Sequence, residues 1–150
     1  MLSQGKFALV SPEDYEFIMK WKWCFNGKYA VRIDGRKTVW MHRVIAERMG
    51  LKIDDKEVDH RNHNGIDNRR ENLRSATHAD NQHNRPLSKR NTSGFKGVSW
   101  NKHRKKWVAH IKFNRKKIHL GYFTNKRKAA REYNRAAIKY FGKFAYLNPV

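Results

Sequence analysis

"VDHRNHNGIDNRRENLRSATHADNQHN", residues 58–84, decides how the 150-residue chain is read. These 27 residues hold four histidines, six asparagines and four aspartates or glutamates. A packed core does not take that mixture, because every buried polar group needs a partner and every buried charge a counter-charge. The local pattern is short and dense. "EVD" reads as the end of a strand, "HNGIDNRREN" as a polar loop with an Asn-Gly turn at 64–65, and "NLRS" as a second strand. Thr77 caps a helix starting at His78, with Asp80 as its capping-box partner. The order is strand, loop, strand, helix.

Charge is distributed unevenly around this stretch. The chain carries a formal +21 and a pI near 10.5, which points to a polyanionic partner, most simply nucleic acid. Residues 1–40 hold 7 Lys/Arg against 4 Asp/Glu, residues 41–85 hold 9 against 8, and residues 86–150 hold 18 against 1. The quoted stretch is therefore nearly neutral, and the pull on phosphate lies downstream of it. Cys24 is the single cysteine, so neither a disulfide nor a Cys-based zinc site can form within one chain. With no secretory signal at Met1–Val10 and no run of membrane-spanning length, the expected location is a reducing cytoplasm.

Outside the stretch, "KFALV" (6–10) predicts a short strand, and residues 11–19 a short helix with Ser11 as N-cap and Pro12 at its first position. "KYAVRI" and "KTVWM" flank a "DGR" turn and predict a hairpin, followed by a helix in "HRVIAERMG" closed by Gly50. Trp21, Trp23, Phe25 and Trp40 are core candidates. Residues 84–93 contain Pro86 and no apolar periodicity, so they read as a linker. Beyond it, "GFKGVSW", "KWVAHIKF" and "KKIHLGYF" predict three antiparallel strands. Ala129, Ala130, Tyr133, Ala136, Ala137, Tyr140 and Phe141 then form one apolar stripe of a helix ended by Gly142.

Three chemistries compete for the polar stretch. Zinc would use His60, His63, His78 and His83, but structural zinc sites usually include cysteine. A purely structural loop accounts for Asn62 and Asn64. It accounts less well for Asp59 beside His60 at a strand end, or for Asn81 and Asn84 one turn apart on a short helix. A one-metal nuclease accounts for these. Phosphodiester cleavage needs a hard cation, which carboxylate and amide oxygens suit, and a base to activate water. Asp59 and Asn81 can supply the oxygens and His60 the base.

"VDH", "ENLR" and "DNQHN", in this order and spacing, resemble the HNH nucleases, specifically the phage-type homing endonucleases. The resemblance implies a ββα-metal fold, Asp59 and Asn81 as ligands of Mg²⁺ or Mn²⁺, and His60 as general base. It also implies that Asn72 braces the loop that orients His60, and that the cleaved ends are 5′-phosphate and 3′-hydroxyl. "MHRVIAERMG" resembles the segment that precedes this signature, with Arg43 a phosphate contact. Residues 93–148 resemble the Apetala/ethylene-response-factor DNA-binding domain through "KGV", "KWVAHI", "LGYF", "AAREYNRAA" and "AYLN". That resemblance implies a sheet laid in the major groove, with Lys96, Asn101, Lys112, Lys117 and His119 facing DNA. Ser99 and His119 stand where the plant pattern has arginine and tryptophan, and lysines replace other arginines. Lysine reads guanine less well than the bidentate arginine fork, so base preference does not carry over.

The expectation is an α+β protein of two domains. Residues 1–85 form the nuclease unit, 86–92 a linker, and 93–150 a three-stranded antiparallel sheet packed on one helix. The function expected is metal-dependent hydrolysis of double-stranded DNA by a monomer, with no membrane partner and no small-molecule cofactor. The alternative is a non-catalytic sequence-specific DNA-binding transcriptional regulator.

Overall fold

The structure, a computed structural model, describes residues Met1–Val150. Its contacts divide the chain into two compact units, Met1–Asn81 and Gln82–Val150. No helix is long and apolar enough to cross a membrane.

The first unit opens with a helix α1 (Pro12–Ile18) that starts after Ser11, with Pro12 at its first turn as the sequence predicts. Strands β1 (Cys24–Phe25), β2 (Ala30–Asp34) and β3 (Lys37–Trp40) form an antiparallel sheet in that order, and the β2–β3 turn is made by Gly35 at φ 60°. Helix α2 (Met41–Arg48) follows at once and presents Met41, Ile45 and Ala46 to the core. Strands β4 (Glu57–His60) and β5 (Leu73–Ala76) form a separate antiparallel pair, and helix α3 (His78–Asn84) follows β5. Leu2, Ile18, Trp23, Ala30, Met41, Ile45, Ile53, Val58 and Leu73 share one apolar core, with Trp21 and Phe25 partly buried against it.

One expectation about this unit is corrected. Residues 6–10 do not form a strand; only Leu9 makes a bridge, to Asp67, because Phe7 and Leu9 face solvent rather than a partner strand. Ser11 sits at the N-cap of α1, but its side chain makes no cap bond, and its Oγ accepts from the backbone N–H of Arg70 at 2.9 Å. Asp14 reinforces that attachment. Its fully buried carboxylate accepts from Arg48 at 2.9 Å and from Arg70 at 2.7 and 2.8 Å. The Arg70 guanidinium is the main influence holding Asp14 below the usual carboxylate range. The ion pairs thus fix α1 to both α2 and the segment leading into β5.

The second unit is a sheet on a helix. Strands β6 (Val98–Asn101), β7 (Lys106–Phe113) and β8 (Lys116–Phe123) are antiparallel in sequence order, and α4 (Lys126–Phe141) packs on them. Asn125 caps α4, its side-chain oxygen accepting from the N–H groups of Arg127 and Lys128. Ala129, Ala130, Ala136 and Ala137 lie buried against Val98, Ala109 and Ile111, and these small side chains let helix and sheet approach closely. Gly97, at φ 73°, is required here, because a Cβ would collide with the Tyr133 ring. Asn148 fastens the chain end through reciprocal bonds to Lys96 and Asn134.

Candidate active site

Strand β4 sets out the polar groups by its period of two. Glu57 and Asp59 share one face, and Val58 and His60 the other. The register places Asp59 directly opposite Arg74 on β5. Both are buried, and Arg74 donates from Nε at 2.8 Å and from a terminal nitrogen at 2.7 Å to the Asp59 carboxylate. A charge this buried needs such a partner, and the guanidinium also orients the carboxylate.

Helix α3 brings Asn81 over the same face. The Asn81 amide nitrogen donates to Glu57, whose other carboxylate oxygen is 2.7 Å from His78 Nδ1. The His78 contact first, then the Asn81 amide, hold Glu57 below the usual carboxylate range. With its nitrogen directed to Glu57, Asn81 has its amide oxygen as the group suited to a cation. The Thr77–Asp80 capping box is formed in both directions, the Asp80 N–H donating to Thr77 Oγ1 and the Thr77 N–H to Asp80 Oδ2, both at 3.1 Å. The cap fixes the start of α3 and hence the place of Asn81 on it. Asp59 and Asn81 offer a carboxylate and an amide oxygen, a hard donor pair of the kind that would suit Mg²⁺ or Mn²⁺. No three His, Cys, Asp or Glu side chains are grouped so as to hold a metal ion by themselves.

Asn72 is buried at the foot of the β4–β5 loop. Its oxygen accepts from the Asn62 N–H at 3.0 Å, and its nitrogen donates to Asn62 Oδ1 at 3.0 Å and to the Asp67 carbonyl at 2.7 Å. Asp67 in turn takes the Asn62 side chain and a forked Arg69, and Arg69 is the main influence lowering its pKa. Gly65 completes the loop; a Cβ there would strike the Lys28 carbonyl and the Tyr29 ring.

His60 closes β4 and is buried. Its Nε2 lies 3.1 Å from the side-chain oxygen of the fully buried Asn68. Burial lowers its pKa more than Asn68 and Asp59 raise it, so the imidazole is neutral, and able to accept a proton, at pH 7. Around it stand Tyr29 and His42, with ring centroids 5.8 and 5.1 Å away. Tyr29, Trp40, His42, Arg43, Glu57, Val58 and Asn81 line an open cavity of about 410 Å³. Arg43 thus lies at the same opening as Asn81.

His42 is a residue that sequence reasoning passed over, although it stands in the quoted "MHR". It is buried, and its Nδ1 has no hydrogen-bond partner. Burial, then the neighbouring His60, Arg43 and Lys28, push its pKa from the usual 6.5 down to about 3. Between those values the unfolded chain binds a proton that the folded chain refuses. Stability is therefore complete above the unfolded value and is lost as the pH falls below it. From pH 7.5 to 4.5, His42 should contribute a loss of roughly 2–3 kcal/mol. Urea melts at both pH values check this, since His42→Phe should shrink the acid loss by that amount, and an equal loss in both proteins would refute it. Glu57 and Asn68 were likewise passed over. Glu57 carried a signal, two residues before Asp59 on one strand; Asn68 carried none.

The residues of the second unit assigned to DNA divide into two groups. Lys112 and Lys117 are exposed and face each other across β7 and β8. His119 is exposed nearby, 4.6 Å by ring centroid from Tyr122, which carries the Arg104 guanidinium over its own ring. Asn101 is half-buried and accepts from the Arg104 N–H at 2.9 Å, closing the β6–β7 turn. Lys96 departs from the expected direction. Its ammonium donates to the carbonyls of His83 and Arg85 at 2.8 and 2.7 Å, and burial lowers its pKa to about 8. It braces the start of its own unit, with its ammonium turned to backbone carbonyls.

Comparison with known proteins identifies the family. Residues 39–83 match the family described as HNH endonuclease. A protein of Acanthamoeba polyphaga mimivirus, named as an uncharacterized HNH endonuclease, is 32% identical over 151 residues, spanning 98% of this chain and 77% of the relative.

Proposed function

This chain belongs to the HNH endonuclease family and is a nuclease, a hydrolase of phosphodiester bonds, and on that premise we propose that it is a divalent-metal-dependent, homing-type endonuclease that cuts double-stranded DNA. The observation that carries the reading is the gathering of Asp59, His60 and Asn81 about one strand, with Asn72 bracing the loop that follows. It supports a ββα-metal site built from β4, β5 and α3. Asp59 and Asn81 would hold Mg²⁺ or Mn²⁺, which when bound neutralises charge on the phosphate and on the departing 3′ oxygen. His60 takes the proton from a water placed in line with the scissile bond, giving 5′-phosphate and 3′-hydroxyl ends. Arg43, at the cavity rim, contacts a backbone phosphate.

The second unit grips the duplex in the manner of an Apetala/ethylene-response-factor domain, with residues 86–92 as linker. Lys112, Lys117 and His119 on the open sheet face meet DNA, and Asn101 shapes the turn beside them. Supercoiled plasmid with Mg²⁺ or Mn²⁺ should be nicked or linearised, and excess EDTA should stop the conversion. Binding without conversion in either metal would leave a DNA-binding protein without catalysis. Lys112→Ala and Lys117→Ala should each reduce the slope of log affinity against log salt by roughly one unit if each meets a phosphate. Titrations from low to high salt measure this, and an unchanged slope in both variants would remove the face from contact with the backbone.

A further inference from the structure

We propose that Asn68 is a positioning residue which, itself oriented by Met41, holds His60 as the Nε2–H tautomer and so dedicates Nδ1 to the proton of the attacking water. This deepens the reading of His60 as general base and rests on it.

Three chain segments meet at Asn68. Its backbone N–H donates to the Leu9 carbonyl at 2.8 Å, and the Leu9 N–H donates to the Ile66 carbonyl at 2.9 Å. These bonds carry the loop under the end of β4. The Asn68 side chain then spans two buried groups. Its oxygen lies 3.1 Å from His60 Nε2, and its nitrogen 3.3 Å from the sulfur of Met41, the first residue of α2.

The sulfur decides which way the amide points. An asparagine side chain can turn over and exchange its oxygen and nitrogen at almost the same positions. A thioether can only accept, so the face toward Met41 must be the NH₂. The oxygen is then left for the imidazole. A carbonyl oxygen can only accept, so Nε2 must carry the hydrogen, and in the neutral ring the lone pair falls on Nδ1. The reversed amide would set oxygen against sulfur, an acceptor against an acceptor. It would also set NH₂ against Nε2, forcing the hydrogen onto Nδ1, where the ring could no longer take a proton from water. Asn68 and Met41 are both buried, so water does not compete for these contacts.

The test reads the tautomer directly. Long-range ¹⁵N–¹H correlation spectra of the full-length protein at pH 8 should show His60 with a pyrrole-type Nε2 and a pyridine-type Nδ1. Asn68→Leu, similar in volume but unable to accept, should blur the two nitrogens toward exchange and lower kcat roughly 100-fold with KM nearly unchanged. Asn68→Asp keeps the acceptor and should keep the Nε2–H pattern with kcat within about tenfold of wild type. Met41→Leu removes the sulfur while keeping the bulk, and should reduce kcat several-fold with partial mixing of tautomers. A pyridine-type Nε2 in the wild-type protein overturns the proposal whatever becomes of the variants. So do an unchanged spectrum and kcat in a folded Asn68→Leu. Full cleavage by His60→Ala would instead overturn the base assignment, an outcome separate from the tautomer reading.

Discussion

His60→Ala is expected to cut DNA roughly 10²–10⁴-fold more slowly than the wild-type chain while binding it with nearly the same affinity. The reason lies in where His60 stands. It is buried at the end of β4, bonded to Asn68 and packed beside Tyr29 and His42. The strongest basic surplus lies in another unit. Under the proposed mechanism, removing the imidazole removes the acceptor for the water's proton and leaves the proposed phosphate contacts on the sheet intact. The lost ring also leaves a void, so a thermal melt should accompany the assay. Single-turnover cleavage with saturating protein separates the chemistry from binding, and wild-type turnover by a folded His60→Ala would end its role as base.

The second large effect concerns Asp59, whose replacement should act on two quantities at once. Asp59→Ala removes the carboxylate proposed as a metal ligand and also strands Arg74, which is 7% exposed and makes two short contacts to that carboxylate. Breaking a buried ion pair from one side costs about 3–5 kcal/mol. Asp59→Asn keeps an acceptor for Arg74 and should lose much less stability, yet it still lacks the charge that favours a divalent cation. Both variants should therefore fail to cleave, while only the alanine variant unfolds early. Asn81→Ala, which removes a neutral oxygen, should impair cleavage less than either. The comparison needs urea melts beside cleavage assays over a range of Mn²⁺. Wild-type cleavage by Asp59→Asn at low metal would take Asp59 out of the ligand set.

Features that depend on neighbours in sequence were legible before any coordinates. The alanine stripe of α4, the Thr77–Asp80 capping box and the hairpin around Gly35 are local rules, and the structure contains each of them. The quoted stretch also disclosed its order of strand, loop, strand and helix. What escaped depends on partners far away in the chain. Ser11 is the helix N-cap that the sequence indicates, but its hydroxyl serves Arg70, 59 residues on, rather than the helix. Residues 6–10 have the apolar content of a strand, yet no neighbouring strand was there to pair beyond a single bridge at Leu9. Lys96 showed its charge but not its direction, because the carbonyls that hold it lie at and just beyond the end of α3, 13 and 11 residues earlier. Asn68 was one asparagine among six until the loop path brought it between a sulfur and an imidazole.

The loop joining β4 to β5 has a consequence for timing. It contains almost no regular secondary structure, yet from Arg61 to Arg70 every backbone N–H except that of Gly65 has an acceptor within the chain. Amides held in this way exchange with solvent deuterium only when the segment opens, so the loop should be protected like a strand rather than like a surface connection. The entropy lost in ordering it is lost when the chain folds, not when DNA arrives. Under the proposed function the duplex meets this loop already in its final shape, and little of the affinity gained on contact is diverted into arranging it.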